Sequence, residues 1–313
     1  MTDLQLNDYA IEMNDVSKSY SLFQLSNINL KLETGNIMGF IGPNGAGKST
    51  TIRILMGLIQ QDQGQVKVLG HSMPDQQAIA KWDIGYASED MRLYSNATIG
   101  WHMDYIKYIY SSWDAGYAKT LLRRFDLLEN HQVKGLSHGQ RVKAALLLML
   151  ARRPKLLILD EPTTGLDPVA RHEILNELMD VLLEGDRSIL FSSHNTQDIE
   201  QLSDHITFID KGRIIASQDK ESYLESWRRI RLSINENTTL PQLQGIVEQR
   251  KSGHQAIITT KLFNDELAET YKKCGADIIA VENMTLEEIF VSEVQSSRLS
   301  EIENQNKNVG EVL

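Results

Sequence analysis

The sequence predicts an α/β fold: a sheet built around a phosphate-binding loop, preceded by an antiparallel β unit, interrupted by helices and followed by a small α+β unit. Three observations predict it. A short apolar run at residues 37–41 leads through Gly42-Pro43-Asn44-Gly45-Ala46-Gly47-Lys48-Ser49-Thr50 into a stretch with Ile52, Leu55 and Met56 at helical spacing. Two further apolar runs, 155–161 and 188–194, close in acidic residues and in a histidine, as strands of an open α/β sheet do at their chemically active ends. Beyond Trp227 short strand and helix patterns alternate without any motif that carries chemistry.

The glycine loop has a physical reason for its spacing. Glycines let the backbone bend so that successive N–H groups point at one anion, and the following helix adds the partial positive charge of its N-terminus. In the pattern G-x-x-x-x-G-K-[ST], Lys48 reaches the β- and γ-phosphates of a nucleotide and the Ser49 hydroxyl ligates Mg²⁺.

The bulk composition bounds the rest. A chain of 313 residues with 41% hydrophobic content buries a full core and has room for one large and one smaller domain. A formal charge of −10 argues against nucleic acid as the main partner, because the overall field repels phosphate backbones. Cys274 is the single cysteine, so there is no disulfide framework and a reducing, cytoplasmic location fits. The most apolar run, 144–151, is too short to span a bilayer, and residues 1–7 lack the features of a signal peptide. Any membrane role is expected to come through a partner.

Taken in order, residues 9–16 and 28–32 alternate apolar and polar side chains and read as an N-terminal antiparallel hairpin. Between them, Tyr20 is either a base-stacking ring or an ordinary loop residue. After the loop and its helix (49–58) come a turn at 61–65, a strand at 66–69 and a short buried strand at 84–87 that ends at Ser88-Glu89-Asp90. Residues 98–130 turn helical, with one apolar stripe at Ile99, Met103 and Ile106 and another at Leu121, Leu122 and Phe125. Trp101, Tyr105 and Tyr108 share a helical face in an aromatic-rich segment, which reads equally as subdomain core or as a docking surface.

Leu136-Ser137-His138-Gly139-Gln140 reads as a turn opening a helix at 141–151 that Pro154 ends. At the end of the next strand, Asp160 is placed to hold Mg²⁺ and Glu161 to orient or deprotonate a water, although an acidic pair there also serves as a helix cap. Gly165-Leu166-Asp167-Pro168 starts a helix. His194, at the end of strand 188–194, reads as a cap or as a γ-phosphate contact. Residues 206–209 and 213–216 pair as a hairpin. The last part reads as strand 230–234, helix 240–250, strand 255–260, helix 264–274, strand 277–282 and, after a capping box at Thr285–Glu288, a helix over 286–294 with a polar, mobile tail at 295–313.

Over residues 9–225 these segments fall in the order of an ATP-binding-cassette (ABC) ATPase, and the chain resembles that family. Residues 42–50 are similar to its Walker A loop, 156–161 to Walker B with the following glutamate, Leu166-Asp167 to the D-loop, His194 to the switch histidine, and Tyr20 to the adenine-stacking aromatic. Leu136–Gln140 resembles the signature LSGGQ. His138 replaces its first glycine, while Ser137, Gly139 and Gln140 are retained. Glu89 stands where the family usually has a Mg²⁺-contacting glutamine, and a carboxylate there can ligate the ion too.

The resemblance implies a P-loop NTPase (RecA-like) core within an ATPase domain at 1–227, a helical subdomain at about 90–140, and a separate α+β domain at 228–294. It also implies ATP and Mg²⁺ as ligands. A head-to-tail homodimer, or a pair with a related subunit, is expected, each ATP lying between one subunit's Walker motifs and Ser137 and Gly139 of the other. An integral membrane permease is expected to receive the motion of the 88–135 region, with the ATPase peripheral on the cytoplasmic face. Residues 284–290 resemble the C-terminal units of bacterial exporter ATPases that move peptides, antibiotics or lipids. The contrasting reading is a soluble cassette with a regulatory, ribosome or DNA role; the single cassette and negative charge weigh against it.

Overall fold

The computed structural model describes residues 8–88, 91–183, 187–235 and 238–310. The chain divides into two compact units, residues 1–217 and 218–313.

The first unit opens with β1 (Tyr9–Ser19) and β2 (Gln24–Glu33), an antiparallel hairpin. In β2 Leu25, Ile28, Leu30 and Leu32 are buried between more exposed neighbours, the period-2 signature of a sheet with one covered face. β3 (Ile37–Ile41) is buried at every position, as a central strand covered on both faces must be. The glycine loop then leads into α1 (Lys48–Leu55). β4 (Gln63–Val68) returns to pair with β1, and β5 (His71–Ser72) with β4, completing a four-stranded sheet in the order β2-β1-β4-β5. The short α2 (Gln77–Ala80) precedes β6 (Ile84–Ser88).

The helical insertion holds α3 (Ile99–Ile109) and α4 (Ala115–Arg124), each started by a side-chain cap. The Thr98 hydroxyl accepts the Trp101 N–H at 3.1 Å and the Asp114 carboxylate that of Tyr117 at 2.8 Å. Ile99, Ala118, Leu121 and Leu122 are buried. Trp101, Tyr105 and Tyr108 are not: Tyr108 is 90% exposed, and the Trp101 and Tyr105 rings stack on the surface 5.3 Å apart. Of the two readings of this aromatic face, subdomain core is therefore excluded.

Next come α5 (His138–Leu150), β7 (Leu156–Asp160), α6 (Pro168–Leu183), β8 (Ser188–Ser193), α7 (Thr196–Leu202), β9 (His205–Asp210) and β10 (Arg213–Asp219). The segment 136–140 is not a turn ahead of α5, as the sequence suggested. Its Ser137 is the N-cap and His138 to Gln140 form the first turn, because Ser137 and Gln140 satisfy each other's backbone N–H groups in a capping box. Just past α5, Arg152 stacks on Tyr110 at 3.5 Å and Arg153 on Tyr117 at 3.9 Å, tying the helical insertion to the core.

The main sheet runs β10-β9-β3-β8-β7-β6. β3, β8 and β7 are parallel neighbours in register, Ile41 opposite Ser193 and Asp160 opposite Ser192. Parallel strands bring like ends together, so the loop after β3, the acid pair after β7 and the histidine after β8 emerge side by side.

The second unit comprises α8 (Lys220–Ser226), β11 (Arg228–Ser233), β12 (Ile246–Ser252), β13 (Gln255–Thr260), α9 (Asp265–Lys273), β14 (Asp277–Asn283) and α10 (Leu286–Gly310). Its antiparallel sheet has the order β12-β13-β11-β14 over a core of Ile230, Leu232, Ile258, Leu267 and Tyr271. Two expectations are corrected here. Residues 240–250 are not a helix. Leu240, Leu243 and Ile246 do all pack on the core, but Gly245 at φ +84° breaks the helix and starts a strand that pairs with β13. The residues read as a mobile tail, 295–310, instead continue α10 as helix. Once packed residues such as Leu286 and Ile289 nucleate a helix, adding turns free of proline, with glycine only at the last position, costs little. Residues 311–313 lie outside the described residues.

Ile158 is fully buried in the middle of β7. Ile158→Ala is expected to destabilise the protein by about 2–5 kcal/mol and Ile158→Val by about 0.5–1.5 kcal/mol. The midpoint of urea unfolding followed by circular dichroism checks both; equal midpoints for the two variants would contradict the packing described.

Candidate functional site

The phosphate loop is shaped by contacts that only glycine permits. Gly47 caps α1 at φ +115°, and a Cβ there would lie 2.6 Å from the Leu25 side chain. Sequence reasoning missed Gly212, which it placed only as a hairpin turn residue. The Gly212 N–H donates to the Ala46 carbonyl at 2.8 Å, and its own carbonyl accepts the Ser26 N–H at 2.8 Å. A Cβ on Gly212 would sit 1.8 Å from the Gln24 carbonyl oxygen. The loop is thus braced from behind by the β9–β10 turn and the start of β2.

Lys48, 6% exposed, points back along its own loop. Its Nζ donates to the Gly42 carbonyl at 2.7 Å and lies 3.2 Å from Glu161 Oε1. The other oxygen, Glu161 Oε2, is 2.7 Å from His194 Nδ1 and accepts the Thr164 hydroxyl at 3.1 Å. Glu161 is therefore gripped from both sides, by a lysine of the loop after β3 and a histidine of the loop after β8. Its backbone sits at φ +55°, a strained conformation for a residue with a side chain. Such strain costs about 1–3 kcal/mol and persists where neighbours impose it. Here the Glu161 N–H donates to the Ser192 carbonyl at 3.1 Å. Burial acts to raise the Glu161 pKa, but the Lys48 charge, the hydrogen bond from His194 and that residue's charge outweigh it, and the carboxyl ends below its ordinary range.

Asp160, nearly buried at the end of β7, accepts the Ser192 hydroxyl at 2.7 Å through Oδ1. The Ser49 hydroxyl belongs to the loop that lines the cleft. A carboxylate and a hydroxyl are hard oxygen donors of the kind Mg²⁺ takes. No group of three His, Cys, Asp or Glu side chains among the described residues forms a metal cage of its own. Glu89, the third expected metal ligand, lies outside the described residues.

Lys48, Ser49, Glu161 and His194 line one open cleft of about 730 Å³, and Asp160 does not line it. Pro43, Asn44, Gly45, Gly47, Lys48, Ser49 and Thr50 form its floor and Glu161, Thr164 and His194 one wall. Gly42 and Ala46 are buried behind the loop, holding it through their carbonyls. At the opposite side stand Leu22, which is 98% exposed, and Phe23. Tyr20 does not line the cleft; its half-exposed ring stacks against Phe23 at 6.4 Å.

The remaining predicted residues lie elsewhere. Ser137 is exposed at the start of α5, with Gly139 and Gln140 beside it, and none of the three lines the cleft. Asp167 caps α6, its carboxylate accepting the N–H groups of Val169 and Ala170 at 2.9 and 3.0 Å. The Ala170 N–H leads the causes that hold the Asp167 carboxyl below its ordinary range. Within one chain, then, Lys48, Ser49, Glu161 and His194 converge on the cleft with Asp160 adjoining Glu161 at the end of β7, whereas Ser137, Gly139, Gln140 and Asp167 do not line it.

Comparison with known proteins gives this arrangement a family. A family model described as ABC transporter matches residues 25–164. The ABC transporter ATP-binding protein YtrB of Bacillus subtilis is 28% identical over 290 residues, covering 92% of this chain and 99% of the relative. The Nod factor export ATP-binding protein I of Rhizobium johnstonii is 35% identical over 226 residues, covering 70% of this chain and 72% of the relative. Among solved structures, an ATP-binding subunit of an ABC transporter superposes with a TM-score of 0.63 at 27% identity, over 69% of this chain and 92% of its own.

The depressed Glu161 pKa has a consequence for stability. A carboxyl lowered in the folded state adds stability that is fully present above its ordinary value of 4.5 and is lost as the pH falls through the lowered value. The stability difference between the wild type and Glu161→Gln should therefore shift against the wild type as the pH falls below 4.5. Denaturant midpoints of both proteins across that range measure it, and parallel profiles would remove the charge grip on Glu161.

Proposed function

The chain belongs to the ABC transporter family as an ATP-binding subunit and an ATPase, and from that premise we propose that it drives export through a separate integral membrane permease. The observation that carries the reading is the Lys48–Glu161–His194 cluster on the wall of a phosphate cleft. The exporter direction is supported by the Nod factor export relatives, and the cargo class is a peptide, an antibiotic or a lipid-like molecule. Among the described residues no helix is long and apolar enough to cross a membrane, which accords with peripheral attachment through a partner at the cytoplasmic face.

ATP enters with its phosphates against the N–H groups of the loop and the N-terminus of α1. Lys48 then exchanges its contact with Glu161 for the β- and γ-phosphates, and Tyr20 with Phe23 offers the aromatic surface for the base. Glu161, ionised, orients and deprotonates the attacking water, while His194 holds the γ-phosphate in place. Ser49 and Asp160 are the residues that would hold a Mg²⁺ ion, which would supply charge neutralisation at the phosphate oxygens.

The site is completed in trans. Ser137 is exposed and Gly139 half-buried at the start of α5, and neither lines its own chain's cleft, so they reach a γ-phosphate only in a second subunit. Two chains packed head to tail bury two nucleotides, ATP acting as the glue and hydrolysis as the release. Glu161 and Thr164 also line a second cavity of about 320 Å³, beside Ser88, Met91, Lys134 and Arg141. Movement in the 88–135 segment is therefore close to the water-activating group. The exposed Trp101–Tyr105–Tyr108 face nearby suits the permease contact.

Mixed subunits test the assignment in trans. Lys48→Ala and Ser137→Arg homodimers should each lose at least a hundredfold in ATP turnover, as loss of groups at a developing phosphate charge does. Mixing the two should restore turnover, because one composite site then has both an intact loop and an intact Ser137. Phosphate release after subunit exchange is the measurement, and no recovery on mixing would sink the proposal. Glu161→Gln should retain ATP binding by isothermal titration while its turnover falls at least a hundredfold.

A further inference from the structure

Asp198 is buried in the first turn of α7, 1% exposed, four residues after His194. Its Oδ1 takes two bonds from Arg171, from Nε at 2.5 Å and from the terminal nitrogen at 2.5 Å. Its Oδ2 accepts the Thr163 hydroxyl at 2.7 Å. Each partner stands close in sequence to a residue of the site. Thr163 follows Glu161 by two positions, and Arg171 lies in the first turn of α6, four after Asp167. One carboxylate therefore fastens together the loop that carries Glu161, the helix that Asp167 caps and the helix that begins behind His194.

Besides the backbone bond from the Glu161 N–H to Ser192, side chains join the loops of Glu161 and His194 at two levels. At the cleft the join is the 2.7 Å contact between their own side chains, half in solvent on the histidine side. Beneath it is the Asp198–Thr163 bond, in which both residues are buried. The upper contact borders the cleft and is open to solvent, whereas the lower one is a buried, charge-assisted bond outside it. We propose that Asp198 is a positioning residue for ATP hydrolysis, holding the Glu161 and His194 loops in register through Thr163 and Arg171. The inference rests on the ATPase reading of the cleft. It adds that the spacing between the water-activating carboxylate and the histidine is set from below, by a group that touches neither.

Two full-length variants test this. Asp198→Asn removes the charge opposite Arg171, and Thr163→Val removes only the hydroxyl strut while keeping side-chain shape and leaving the Asp198–Arg171 pair. Thr163→Val is the deciding variant, since it leaves no charge unpaired. ATP affinity, phosphate release and the His194 ring Nδ1 resonance, assigned by its loss in His194→Gln, are measured on folded protein. Thr163→Val should bind ATP within twofold of the wild type, lose at least tenfold in kcat and show a displaced His194 resonance. Asp198→Asn, where it folds, should do the same more strongly. A Thr163→Val protein with wild-type kcat, or with an unmoved His194 resonance, overturns the proposal; a purely structural bond would lower the melting temperature and leave both readouts in place. Were the wild type itself without turnover, the ATPase reading would fall, and the resonance alone would decide whether the strut sets the loops.

Discussion

The grip on Glu161 is the contact on which the rest of this molecule converges. A carboxylate 13% exposed, flanked by Lys48 at 3.2 Å and His194 at 2.7 Å, needs three loops delivered to one point. Parallel β3, β8 and β7 deliver them, because like ends of parallel neighbours emerge on one edge. The electrostatics then decide the protonation state. Taking a carboxyl out of water favours its neutral form, and the charges and hydrogen bonds of Lys48 and His194 reverse that preference. The role proposed for Glu161, accepting a proton from water, requires the same ionised form.

Backbone features serve the same end. Glu161 occupies a left-handed conformation, held by the bond from its N–H to Ser192, and that bend turns its side chain from the strand direction toward Lys48. Gly212 keeps the phosphate loop from relaxing by occupying a gap that no side chain fits. Gly212 does not line the cleft and Glu161 does, but both backbone conformations fix where the groups of the cleft stand, which is how loops become accurate enough for catalysis.

What was legible in the sequence follows from the range of the contacts involved. Residues 42–50, Asp160, Glu161 and His194 were readable because each sits at the end of an apolar run, and local spacing alone places them. The roles of Gly212 and Asp198 were hidden, since their partners at Ala46, Ser26, Thr163 and Arg171 are far away in the chain and no local pattern announces them. At Leu240, Leu243 and Ile246 the spacing misled: three residues that share a core need not share a helix when Gly245 turns the chain between them. The capping box at Ser137 and Gln140 was visible in the sequence, but its S-x-x-Q pattern reads as a turn until the reciprocal bonds are seen.

The buried carboxylates follow one rule. Glu177, 4% exposed, accepts the Tyr117 hydroxyl at 2.6 Å and Arg124 at 2.7 Å, linking α6 to the helical insertion. Asp160 is held by Ser192, and Asp198 by Arg171 and Thr163. Buried charges of this kind add little net stability, because desolvation offsets most of their attraction, and apolar residues of similar volume often stabilise as well or better. Their value lies in direction. A carboxylate with two committed oxygens, as in Glu177 and Asp198, has few alternative partners, and breaking one bond leaves a buried charge uncompensated. Apolar contacts between the same loops would let them slide. α6 carries Arg171 at its start and Glu177 two turns later, so the helix that answers to the Glu161 loop at one end answers to the helical insertion at the other. A displacement of that insertion is therefore resisted by directional bonds along α6 rather than absorbed in soft packing, which is the mechanical condition for a partner's movement to be felt at the phosphate cleft.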